Sequence, residues 1–171
     1  MLFRFAISTD AEKLRALSED AFRYAYAAFN TQEDMEAYCT EHFSLAQVKN
    51  EIEDAQTKFI LALEQDEIFG YVKLNLAPEL KTGALRPLEL ARLYTRVDLI
   101  GKGIGRQLVD EAVRYAQENN FDALCLGVWQ RNTKAVKFYE RENFVIAGTM
   151  QFLLGKDLQD DFLMVRKLNG L

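Results

Sequence analysis

Residues 100–106 read Ile-Gly-Lys-Gly-Ile-Gly-Arg, so Gly101, Gly103 and Gly105 stand at alternate positions between an apolar run and an amphipathic one. Without Cβ atoms, these glycines let main-chain N–H groups come close to an anion. The helix that the pattern starts near Ile104 adds unpaired N–H groups and the positive end of its dipole. Lys102 and Arg106 place positive charge at the rim. Together these features make a cradle for a diphosphate. The loop is not a Walker A sequence, which needs G-x-x-x-x-G-K-[ST]. Nor is it a Rossmann fingerprint, because Arg106 takes the third glycine place and Asp122 follows a helix instead of ending a second strand. A flexible loop without a ligand is the plain alternative.

Hydrophobic period supplies the elements around that loop. Residues 2–8 alternate as a strand. A helix follows, with Thr9 and Glu12 spaced as a capping box and Leu14, Leu17, Ala21 and Phe22 at helical intervals. Residues 31–55 read as two more helical pieces, the second capped by Ser44 with Gln47 three residues on. The stretch 57–77 switches to two apolar runs around a polar "EQDE", a β-hairpin. After a loop at 78–87 come a strand at 88–97, the glycine loop and a helix to about Asn120. That helix turns Ile104, Leu108, Ala112, Tyr115 and Ala116 inward. Residues 123–129 are almost continuously apolar, as in a strand buried on both faces. A short helix capped by Asn132 follows, and residues 144–154 and 161–168 close the chain as strands. With no repeat or linker, residues 1–171 read as one α/β (α+β) domain.

Composition removes several function classes. The 171 residues suffice for a core without staples, and 49% hydrophobic with 27% charged residues is ordinary for a globular protein. Net charge is −5, from 26 acids and 21 bases, and lacks the basic excess of a nucleic-acid binder. Cys39 and Cys125 form no CxxC pair and read as buried, reduced thiols in a cytoplasmic protein. The opening residues resemble neither a signal peptide nor a membrane span, and no spacing suggests a metal site.

The segment from about Leu88 to Gly148 resembles the GNAT superfamily of acetyl-CoA-dependent N-acetyltransferases. Gly103 and Gly105 fall on the glycines of its Q/R-x-x-G-x-G/A signature, with Ile100 where Gln or Arg is usual. Asn132, Ala135, Phe138, Tyr139 and Phe144 fit its N-x-x-A-x-x-F-Y-x-x-x-G-F pattern, with Asn143 in place of glycine. Asn tolerates left-handed backbone better than most residues. The resemblance implies a mixed, mostly antiparallel sheet of about seven strands flanked by helices and splayed between the fourth and fifth strands, with coenzyme A in the gap. The stretches "AYCTEHFSLAQVKNEI", "FILALEQDEIFGYVKLN" and "LELARLYT", and the tail "GTMQFLLGKDLQDDFLMVRKL", are similar to the bacterial polyamine N-acetyltransferase branch.

The implied chemistry is direct transfer of an acetyl group from a thioester to a small primary amine, polyamines first, in a ternary complex. The amine must be neutral to attack, and deprotonating a lysine-like amine at pH 7 costs about 4.6 kcal/mol. By resemblance, Tyr139 donates a proton to the leaving thiolate, Asn132 contacts coenzyme A, and the main chain of Leu93, Tyr94 and Thr95 pairs with the pantetheine arm. Glu89 is the candidate base: strand alternation puts it on one face with Ala91, Leu93 and Thr95. Branch relatives often carry a second acid where this chain has Ala91. Asp157, Asp160 and Asp161 read either as an attractor of polycations or as a solvated turn. His42 reads as a surface or capping residue, and Trp129 as packing near the cleft. A protein N-terminal or lysine acetyltransferase, and a non-catalytic acyl-CoA sensor, are the rival readings. A homodimer through a sheet edge is compatible with each.

Overall fold

Strands β1 (Leu2–Phe5), β2 (Thr57–Glu64), β3 (Glu67–Asn75), β4 (Pro87–Thr95), β5 (Ala123–Trp129), β6 (Val145–Leu154) and β7 (Asp157–Lys167) form one sheet in the order β1-β2-β3-β4-β5-β7-β6. The structure is a computed structural model and describes residues 1–80, 82, 83 and 85–168. Every neighbouring pair is antiparallel except β4 and β5, which run parallel. That parallel ladder is short: it joins Pro87 to Ala123, Leu88 to Leu124 and Glu89 to Cys125, and then the strands part. The expected splay therefore opens directly after Glu89.

Helices α1 (Ala11–Tyr26), α2 (Gln32–His42) and α3 (Leu45–Glu53) cover one face. Leu14, Leu17 and Val48 pack there against Phe59, Leu61 and Tyr71 of β2 and β3. Met35 and Cys39 of α2 join Phe22, Phe43, Tyr94 and Phe152 in an aromatic extension of that layer. Helices α4 (Ile104–Glu118) and α5 (Thr133–Arg141) cover the other face. Ile104, Leu108, Val109, Ala112 and Ala116 of α4 are buried against Ile60, Val72, Leu74, Leu124 and Leu126. Burying one such leucine stabilises by roughly 1.5–3 kcal/mol, so the apolar stripe dictates how α4 docks. Tyr115 stays half-buried, edge-on to Phe5 at 5.8 Å.

Three local expectations are corrected. Thr9 and Glu12 do not box the start of α1. Asp10, 8% exposed, accepts the Ile7 N–H at 2.8 Å and is gripped by Arg4 at 2.7 and 2.9 Å, while Glu12 turns to Arg15. A bidentate guanidinium is a stronger partner than a hydroxyl cap. Strand β7 starts at Asp157, paired with Leu154 around Gly155 and Lys156, so Asp157, Asp160 and Asp161 belong to a strand and not to a solvated turn. Gly155, at φ +60, makes the tight connection possible.

The third correction concerns the face of Glu89. Lys73 pairs with Arg92 and Leu74 with Leu90, so Ala91 is an extra, bulged residue of β4. One inserted residue inverts the alternation. Glu89 therefore shares its face with Arg92 and Tyr94, beside Asn75, Lys73 and Tyr71 of β3. Leu90 and Leu93 pack on the α4 side instead.

Candidate active site

Beyond Glu89, β4 is paired with β3 on one side only, so the edge of Leu93, Tyr94 and Thr95 that faces β5 has no strand partner. A short 3-10 turn at Val97–Leu99 then leads into the glycine loop. Gly101 and Gly103 adopt φ of +85° and +81°, and nothing lies within 4 Å of a Cβ built on either. Backbone conformation, not crowding, is what requires glycine at these two places. Gly103 is the N-cap of α4. The Lys102 N–H is engaged by the Leu99 carbonyl at 3.2 Å. Among the described residues the amides of Gly101, Gly103, Ile104, Gly105 and Arg106 have no main-chain acceptor. The Lys102 and Arg106 side chains are exposed at the rim, as the spacing implied. Gly105 serves a different purpose: a Cβ there would sit 3.4 Å from Phe138 Cζ, where α4 meets α5.

Asn132 caps α5 by accepting the Ala135 N–H at 3.2 Å. Asn143, at φ +64°, takes the left-handed conformation that ends the segment, and the Phe144 N–H returns to the Tyr139 carbonyl at 3.0 Å. Phe138 and Phe144 flank the Tyr139 ring edge-on at 5.1 and 5.6 Å. Burial, with the Tyr26 hydroxyl nearby, pushes the Tyr139 pKa up, so its hydroxyl stays protonated.

On the opposite face, Tyr26 lies 5.9 Å and Phe29 5.2 Å from the Trp129 ring, and Arg131 stacks on that ring at 5.7 Å. Tyr94 is enclosed by Tyr71 and Phe43. Asp161 stands opposite Trp129 on one side and Met150 on the other. Burial, then the neighbouring Asp160 carboxylate, pushes its pKa up to about 6. The Tyr26 hydroxyl is pushed up to about 12, first by burial and then by Asp161. Tyr26 and Phe29 escaped the sequence reading because an aromatic on an amphipathic helix signals core. Gln159 lies ahead of the strand start that the apolar pattern predicts at residue 161, which hides its two-residue spacing from Asp161.

Glu89 occupies a separate polar setting at the closed end of the gap. Its Oε2 accepts from Asn75 Nδ2 at 2.8 Å, and it borders a groove of about 570 Å³ with Glu51, Lys73, Asp54 and Glu79. Glu51 bonds Lys73 and Arg92 at 2.8 Å each and accepts from Gln47. Burial works against the Glu51 charge, yet Arg92 and Lys73 hold its carboxyl below the usual range. Cys39 and Cys125 are free and buried, with thiols pushed up to about 11 and about 12 by burial, so they do not act as nucleophiles near neutral pH. His42 is half-buried against the Tyr38 ring at 4.2 Å, at the end of α2.

A split parallel pair in a mostly antiparallel sheet, with a glycine-rich helix start beyond the split, is the architecture of an acetyltransferase fold. Residues 13–144 match the profile of the Acetyltransferase (GNAT) family, and the chain belongs to that family. It is accordingly an enzyme, an N-acetyltransferase. An uncharacterized N-acetyltransferase of Lactobacillus delbrueckii subsp. lactis is 29% identical, covering 93% of this chain and 92% of its own. The spermidine N(1)-acetyltransferase of Thermoplasma acidophilum is 24% identical, covering 82% and 85%. The crystal structure of PaiA N-acetyltransferase from Thermoplasma acidophilum in complex with coenzyme A superimposes with a TM-score of 0.81 at 24% identity, over 98% of this chain and 99% of that one. Among the described residues no helix is long and apolar enough to cross a membrane.

Proposed function

We propose that the chain is a single N-acetyltransferase domain that moves an acetyl group directly from acetyl-CoA to a small primary amine, with polyamines as the first acceptor class. The observation that carries this reading is the parting of β4 and β5 beyond Glu89, with Tyr139 of α5 packed on one face of the sheet and Tyr26 of α1 on the other. The sheet is open there, so an acyl donor entering from the α4 side and an amine entering from the α1 side can reach one another.

The residues present fit the donor. Positive-φ glycines and free amides at Gly101, Gly103, Ile104, Gly105 and Arg106 suit a diphosphate, with Lys102 and Arg106 adding charge. The unpaired edge of Leu93, Tyr94 and Thr95 suits an extended amide-bearing arm. When bound, acetyl-CoA supplies an activated thioester. Tyr139, held protonated, donates to the departing sulfur, and Asn132 at the head of α5 orients the site. Glu89, held by Asn75 at the closed end of the gap, takes the amine proton through a chain of waters. The polyamine assignment draws support from the spermidine N(1)-acetyltransferase relative and from the buried acid on β7. Pairing of two copies along the β6 edge, where Val145, Ile146 and Leu153 are exposed, and a cytoplasmic setting complete the proposal.

Release of free thiol from acetyl-CoA over a panel of amines tests it. The expected result is turnover with diamines and polyamines in the wild type and little in Tyr139→Phe. Coenzyme A binding without turnover in either protein overturns catalysis in favour of a sensor, and turnover confined to peptides overturns the small-amine assignment.

A further inference from the structure

Two side-chain oxygens are buried without a hydrogen-bond partner among the described residues, Asp161 Oδ1 and Gln159 Oε1, and both belong to β7. Asp161 is 7% exposed and Gln159 4%. Two residues apart on a strand, they share one face at a spacing of about 7 Å. The Gln159 amide cannot be reversed to cure its vacancy. Its Nε2 donates to Asn30 Oδ1 at 2.9 Å and to Asp157 Oδ2 at 2.8 Å, both acceptors, and Asn30 Nδ2 is itself committed to the Tyr26 carbonyl. The free end of Gln159 is therefore an oxygen. A buried carboxylate and a buried carbonyl left open side by side are costly, and such groups persist where a ligand completes them.

The surroundings specify the ligand. Trp129 faces Asp161 across the ladder, with Tyr26 and Phe29 packed on its ring. Gly127 and Met150 close the remaining side: a Cβ on Gly127 would lie 3.1 Å from Met150 Sδ and 3.5 Å from Asp161 Oδ2. The charged and titratable groups around Asp161 are Asp160 on its own strand, Tyr26 on α1 and Arg131 stacked on Trp129, and no lysine or arginine makes an ion pair with it among the described residues. Acceptor oxygens, one negative charge and aromatic walls are the complement of an alkylammonium, with its three donors and its affinity for ring faces.

We propose that Asp161 and Gln159 form the subsite for the non-reacting ammonium of a diammonium acceptor, an assignment that rests on the amine-acetyltransferase reading above. The reacting nitrogen must lose its charge, and a carboxylate in contact with it holds that charge in place. Asp161 therefore serves the other end of the molecule.

The test uses Asp161→Asn, which keeps the shape and removes the charge, with 1,4-diaminobutane and butylamine as probes. By calorimetry at pH 7.5 the variant binds 1,4-diaminobutane at least about 30-fold more weakly than the wild type. In turnover its KM rises for the diamine and not for butylamine, while kcat holds. Carboxyl-carbon NMR of the wild type shows the Asp161 titration midpoint falling when 1,4-diaminobutane is added. An unchanged diamine affinity, an equal loss for both amines, or an unmoved midpoint overturns the subsite. Should the wild type acetylate no amine and still bind the diamine through Asp161, the subsite stands and the acceptor reading alone falls.

Discussion

Glu89 and Cys125 form the last rung of the parallel ladder between β4 and β5, and two residues later β4 bulges at Ala91. The two features occur together for a physical reason. A strand that leaves its neighbour must send its freed N–H and C=O groups to something else. Here the bulge turns Arg92 and Tyr94 into the α1–α3 layer while the opposite edge stays open. The gap is therefore built into the ladder and does not require a moving part.

Tyr139→Phe removes one hydroxyl and leaves the ring packed between Phe138 and Phe144. Its kcat is expected to fall about 10²-fold while coenzyme A affinity is retained. Steady-state kinetics beside a binding isotherm separate the two quantities. An equal loss in both means a structural role.

Gly103→Ala forces a Cβ onto a residue at φ +81°, in space that is otherwise empty. The cost is about 1 kcal/mol of stability, with weaker coenzyme A binding as the N-cap distorts. Gly148→Ala, with neither a positive φ nor a crowded Cβ, is the control and is expected to be neutral. Denaturant melts of both variants check this.

Glu51→Gln strips the shared counter-charge from Lys73 and Arg92, both nearly buried. Breaking a buried pair by removing one partner costs about 3–5 kcal/mol, since the remaining charges stay in place without compensation. Thermal unfolding is expected to show one of the largest losses of any single substitution in α3.

Asp161 has the opposite sign. Burial holds its pKa near 6 in the folded protein, above the ordinary 3.8 of an aspartate, so the folded protein binds the extra proton between those two values. Wild-type stability from this group is therefore lost as pH rises through that window, by on the order of 2–3 kcal/mol once the carboxyl is fully charged. Asp161→Asn is expected to match the wild type near pH 4 and to be the more stable of the two above pH 6. Chemical denaturation at several pH values reads the difference directly.

Much of the architecture was legible in residue order. The caps of Ser44 and Asn132, the hairpin of β2 and β3, the inward stripe of α4 and the left-handed Asn143 all follow from local chemistry between near neighbours in the chain. Thr9 misled because its rival, the Arg4–Asp10 pair, draws on a strand packed beside the helix start.

The sequence by itself determined that a bare loop meets a helix start at Gly103, and that Tyr139 follows a capped turn in a motif shared with acetyltransferases. These are short-range facts, set by backbone freedom and by spacing within a few residues. Only the tertiary structure decided which face Glu89 occupies, that Tyr26 and Tyr139 pack on opposite faces of the sheet, and that Asp161 and Gln159 are buried with oxygens left unpartnered. Each of those depends on the register and burial of strands far apart in the chain, and a single bulged residue is enough to reverse them.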